Sequence, residues 1–182
     1  MRFESWVISL VTAPEPVRRD RPRVGPWPGG AAAGFALGQT LARVPALRDG
    51  VGADKAELGI ALMGMGLGSL IAMPFTGRLV DRLGSRRVVS ACVLLACAGY
   101  AVLSVVPSVP LLMAALTVTG MAVGLWDVGM NIQGTHVEQR RGRSLMPYFH
   151  AAFSAGAVLG AGLGALAAWQ GVGLVQLPVL AA

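Results

Sequence analysis

With 182 residues, 54% hydrophobic and only 13% charged, and a mean hydropathy of +0.63, the chain is unlike a soluble domain. Such domains carry about 25% charged residues. The net charge of +6 is almost wholly arginine, Lys55 being the lone lysine, and these arginines fall in short connections between apolar runs. There they orient helices across a bilayer, which disfavours nucleic-acid binding and leads to an all-α integral membrane protein.

In chain order, residues 1–28 form a basic tail in which Pro14, Pro16, Pro22, Pro26 and Pro28 alternate with Arg18, Arg19, Arg21 and Arg23. Its apolar patch, Trp6 to Val11, is too short for a secretory core, so an irregular solvated segment is expected. The first apolar run, 29–47, is the weakest. It contains Arg43 and Pro45, and Pro26 to Ala42 would span about 26 Å as helix. Arg43 would then snorkel to a surface.

The second run, 58–76, follows Asp54 and Glu57 at capping-box spacing and repeats Gly64, Gly68 and Ala72 every fourth residue, a close-packing face. Next comes the segment Gly77-Arg78-Leu79-Val80-Asp81-Arg82-Leu83-Gly84-Ser85-Arg86-Arg87, expected as a basic loop that its glycines turn sharply. The third run, 88–106, is uncharged and ends in an uncharged turn at Pro107–Pro110. Its cysteines, Cys92 and Cys97, point about 140° apart on a helix and cannot bridge locally.

The fourth run, 111–131, places Gly120, Gly124, Asp127 and Asn131 along one face. A second basic loop is expected over Gly134 to Arg143. The fifth run, 144–168, carries Gly156, Gly160 and Gly164 on one packing face and His150 with Ser154 on another. Residues 169–182 would begin an incomplete sixth helix, too short to span the bilayer, or form a tail. Arginine crowds the tail and the two loops and is scarce in the alternate connections. This bias puts the N-terminus in the cytoplasm and the chain, multi-pass, in the inner (plasma) membrane.

Ionisable groups in apolar spans are functional candidates because lipid makes them costly. Asp127 admits three readings: a proton carrier, a partner for Arg82 or Arg86 that locks one conformation, or an interfacial acid. His150 suits proton relay, solute binding or a structural hydrogen bond. Arg43 suits an anionic or polyhydroxylated ligand or interfacial anchoring, with Gln39 one turn before it. No Walker loop, G-x-S-x-G elbow or H-E-x-x-H motif is present, so neither an enzyme nor an ATP-driven pump is expected. The two histidines lie far from both cysteines in sequence, and no metal or cofactor is expected.

The order G-x-L-x-D-R-x-G-x-R-R over 77–87 resembles the loop signature of the major facilitator superfamily of secondary transporters. Gly120–Asn131, Val137-Glu138 and Met146–Ala157, with Asp127 four residues before Asn131 and the pattern F-x-x-x-F-S-x-G, resemble its fucose-permease-like branch. The resemblance covers about residues 30–168. It implies five helices of the N-terminal six-helix bundle of a truncated carrier working by alternating access on a small solute, with protons as coupling ion and a C-terminal half outside this chain. It also implies a conformational latch at Gly77, Asp81, Arg82, Gly84, Arg86 and Arg87, and substrate or proton coupling at Asp127. Two alternatives stand beside it: drug or metabolite efflux on the same scaffold, and a non-transporting membrane fragment whose Gly156, Gly160 and Gly164 face lacks a partner.

Overall fold

The computed structural model describes residues 27–174, and every regular element in that range is helical. The elements are α1 (Trp27–Ala42), α2 (Val44–Val51), α3 (Lys55–Ala72), a 3-10 turn (Met73–Phe75), α4 (Thr76–Leu83), α5 (Ser85–Leu103), α6 (Val109–Arg141) and α7 (Met146–Trp169). The tail expected over 1–28 lies outside the described residues, apart from Trp27 and Pro28, which belong to α1. Of the final segment, only the residues up to Leu174 are described; those just after α7 are not helical.

Several boundaries differ from the expectation, each for a local reason. The first run is two helices. Pro45 has no amide hydrogen to donate, and its ring crowds the preceding turn, so α1 stops at Ala42 and α2 restarts beyond Arg43 (φ −102°, ψ 4°). The 16 residues of α1 span about 24 Å, short of a hydrocarbon core of about 30 Å. Four other stretches are long and apolar enough to cross a membrane: Lys55–Leu83, Ser85–Leu103, Val109–Arg141 and Met146–Trp169. The capping box at the start of α3 is formed. Asp54 Oδ1 accepts from the amides of Ala56 (2.7 Å) and Glu57 (2.8 Å), and Glu57 accepts from the Asp54 amide (2.9 Å).

Both expected basic loops are largely helical. Thr76 to Leu83 continues α3 after the Pro74 turn, and the break before α5 falls at Gly84, whose φ of 83° and ψ of 141° suit glycine. Gly77 lies within α4 with open space around it and turns nothing. Likewise α6 runs ten residues past Asn131. Its last turns hold Glu138, Gln139, Arg140 and Arg141, good helix formers with the arginines at the negative end of the dipole. Gly142 (φ 64°) then caps it.

Helix order in space follows from small residues. Added Cβ atoms on Gly34 and Gly38 would collide with the backbone of Phe153 and Ala157. Those on Gly156 and Gly160 would collide with that of Ala31 and Phe35. The two helices therefore touch main chain to main chain, and contacts ascend together along both, so α1 and α7 are parallel. The Gly156–Gly160–Gly164 face is thus filled by α1, which removes the argument that it awaits another subunit. Parallel α3 and α6 repeat the arrangement, with Gly68 against Thr117, Gly120 against Met65 and Gly124 against Ser69. Antiparallel α5 meets α6 at Gly99–Thr119 and Gly129–Val89. These directions match helices that alternate across a bilayer.

The buried core joins Val88, Cys92, Ala96, Tyr100 and Leu103 of α5 to Leu112, Leu116 and Trp126 of α6. Leucine, isoleucine, valine and methionine instead cover the outside, as at Ile60 and Met63 of α3, Leu94 and Leu95 of α5, and Val158 and Leu159 of α7. Such a surface is satisfied by lipid.

Candidate functional site

One cleft of about 100 Å³ gathers the polar candidates of two helices. Asp127 and Asn131 come from α6 and His150 from α7; Gly30, Met130, Phe149 and Phe153 complete the lining. The close parallel approach of α1 to α7 sets one wall. Gly29 beside it lies against α6, where an added Cβ would sit 3.0 Å from the Met130 sulfur. Asn131, one turn after Asp127, donates from Nδ2 to the Asp127 carbonyl (3.0 Å) and, more distantly, to Oδ1 (3.4 Å). The amide thereby orients the carboxylate on the cleft side of α6. Asp127 and His150 are both exposed, so solvent or solute can reach them.

The ion pair between Asp127 and Arg82 or Arg86, one of the three readings of Asp127, is not formed in this structure. Among the described residues the ion pair within 4.0 Å is Arg48–Asp49 (2.7 Å). Asp81, Arg82, Arg86 and Arg87 are all exposed around the α4–α5 junction.

Gln39 and Arg43 lie elsewhere. Thirteen residues separate Gly30 from Arg43, about 20 Å along α1. Gln39 is 1% and Arg43 4% exposed, so the arginine is buried instead of snorkelling. Its Nη2 donates to the Val172 carbonyl (2.5 Å), tying the α1–α2 break to the segment after α7, while Nε and Gln39 Oε1 have no partner. The sequence shows an arginine one turn from a glutamine, but the two chain segments that cover it are adjacent only in the folded bundle.

Three contributors, Phe149, Phe153 and Glu138, enter the sequence reading only through the family resemblance and carry no role there. Phe149 and Phe153 line the cleft, and their i, i+4 spacing on α7 is the signal that was visible. Glu138, at the polar end of α6, accepts hydrogen bonds from the amides of Leu145 (2.5 Å) and Met146 (2.6 Å) and from the Ser144 hydroxyl (3.1 Å). It thereby supplies the N-terminal cap of α7, whose second turn presents His150. Its partners lie six to eight residues on, across the α6–α7 connection, beyond the one-turn spacing of a capping motif. Among the described residues no three His, Cys, Asp or Glu side chains gather to hold a metal ion.

The chain was compared with known proteins. Residues 27–182 match the family model described as the Major Facilitator Superfamily. An uncharacterized transporter of Sinorhizobium fredii is 42% identical over 146 residues, covering 78% of this chain and 39% of that protein. An uncharacterized MFS-type transporter of Yersinia pestis is 36% identical over 140 residues, covering 77% and 36%. The membrane protein MosC of Rhizobium meliloti is 27% identical over 127 residues, covering 70% and 31%. No solved structure matches. The chain spans less than two fifths of the length of these relatives. These relatives point to a transporter rather than an enzyme, and with a family model covering nearly all the described bundle, the chain belongs to the major facilitator superfamily of multi-pass membrane transporters.

Proposed function

We propose that this chain is the N-terminal part of a proton-coupled solute carrier of the fucose-permease-like branch, working by alternating access. A second helical half, outside this chain, closes the solute path. The observation that carries the proposal is the Asp127–Asn131 step of α6 facing His150 of α7 across an open cleft. Asp127 is the carrier of the coupling proton. Asn131 and His150 supply hydrogen bonds to a polar solute, and Phe149 and Phe153 supply flat apolar walls. Asp81, Arg82 and Arg86, with Gly77, Gly84 and Arg87, act as the latch between halves. The arginine bias argues for the N-terminus and both basic segments in the cytoplasm, with the protein in the inner membrane.

Substituting Asp127→Asn in the intact carrier tests the assignment. Proton-driven accumulation in vesicles should be lost while solute counterflow persists; undiminished accumulation would refute the proton role. A second reading, export of a largely apolar compound, draws on the Met130, Phe149 and Phe153 lining. Labelled-solute movement in vesicles of either orientation separates export from import.

A further inference from the structure

We infer that α4 and the 3-10 turn before it form a seat for an anionic phospholipid. The stretch Lys55–Leu83 holds 29 residues, about 43 Å of helix, against a hydrocarbon core of about 30 Å. Its last eight or nine residues therefore run from the edge of the hydrocarbon core out into the headgroup region. There the surface is of two kinds. Phe75 (52% exposed), Leu79 (36%) and Leu83 (51%) recur every fourth residue and form an outward apolar stripe. Arg78 and Arg82 each precede a member of that stripe by one residue and share the same face, a sector about 140° wide at 3.6 residues per turn. Both are exposed, as is Arg86 just past the Gly84 break.

None of these three arginines is in an ion pair, and Asp81 points about 130° away from the centre of their face. Beside the stripe on the same helix Thr76 is buried and Val80 packs on the core, which fixes α4 with the stripe outward. An apolar stripe graded into unpaired guanidinium groups at headgroup depth matches a single chemistry. The glycerol ends of the acyl chains rest on Phe75 and Leu79 at the edge of the hydrocarbon core, and the phosphodiester accepts from the arginines, which bind phosphate through two parallel hydrogen bonds. The seat holds whichever leaflet α4 faces; it shares Arg82 and Arg86 with the proposed latch, and lipid labelling reads the seat without reading transport.

The test places the chain in phosphatidylcholine nanodiscs carrying a trace of photoactivatable phosphatidylglycerol or photoactivatable phosphatidylcholine, with the reactive group in the acyl chain. The anionic probe should label the peptide containing Met73–Leu83 in clear excess over the zwitterionic one. An arginine near the surface contributes about fivefold in binding, so R78Q with R82Q should cut that excess about 25-fold at low salt. Should that variant misfold, raising the salt to 1 M on the unsubstituted chain must collapse the excess. Equal labelling by both probes, an excess indifferent to salt, or photo-crosslinks joining two copies of the chain through this peptide would overturn the inference. Competition by millimolar inorganic phosphate alone would also overturn it, since that marks a site for the free anion.

Discussion

Adding one methyl group at Gly160 measures how much of the bundle rests on the α1–α7 contact. A Cβ there falls 2.8 Å from the carbonyl carbon and 2.9 Å from the Cα of Phe35, and nearer still to the carbonyl oxygen. Carbon atoms settle at about 3.5–4.0 Å. The obstacle is backbone, which cannot rotate aside, so α1 and α7 must part by about 1 Å. That shift also loosens the flanking contacts at Gly34, Gly38 and Gly156. Gly162, two residues on, has nothing within 4 Å of an added Cβ and provides the control. Alanine gains about 1 kcal/mol of helix propensity at either position. Only Gly160→Ala carries the overpacking cost of about 1–3 kcal/mol. The two variants should therefore differ by about 1–3 kcal/mol in unfolding of the purified chain in detergent, with Gly162→Ala at or above the parent. A Gly160→Ala chain as stable as Gly162→Ala would refute main-chain contact between these helices.

Other outcomes follow from the corrected junctions. Gly84→Ala places a side chain at a positive φ with extended ψ and should cost about 1–3 kcal/mol. In contrast, Gly77→Ala, in an exposed turn of α4, should stabilise by about 1 kcal/mol; the reverse order in a thermal melt would restore Gly77 as the turning residue. Glu138→Ala removes the acceptor of the Leu145 and Met146 amides, so hydrogen exchange at these two amides should accelerate while α5 amides keep their protection. Unchanged exchange there would deny Glu138 its capping role.

Local chemistry determined much of this protein in advance. Low charge, long apolar runs and clustered arginines specify membrane helices, since lipid leaves backbone polar groups no other partner. The same logic made the α3 capping box and the four-residue glycine spacings legible, because both act within a turn or two. Asp127 and Asn131 share a face by helical geometry alone. The sequence could not show which face meets which. Gly156 and Gly160 looked unpartnered until α1, more than a hundred residues earlier, was seen to supply the backbone they touch. His150 joins Asp127 because α6 and α7 are bridged by Glu138 and flanked by α1, whereas Arg43, equally conspicuous as an intramembrane charge, lies about 20 Å away under the segment after α7. Charge also misled at the two basic segments. Arginine is a good helix former, so α4 and α6 carry their helices through stretches expected as loops, and only Gly84 and Gly142 have the backbone freedom to end them. Periodicity and burial cost act along the chain and are written in it; contacts between distant segments are settled only when whole helices pack.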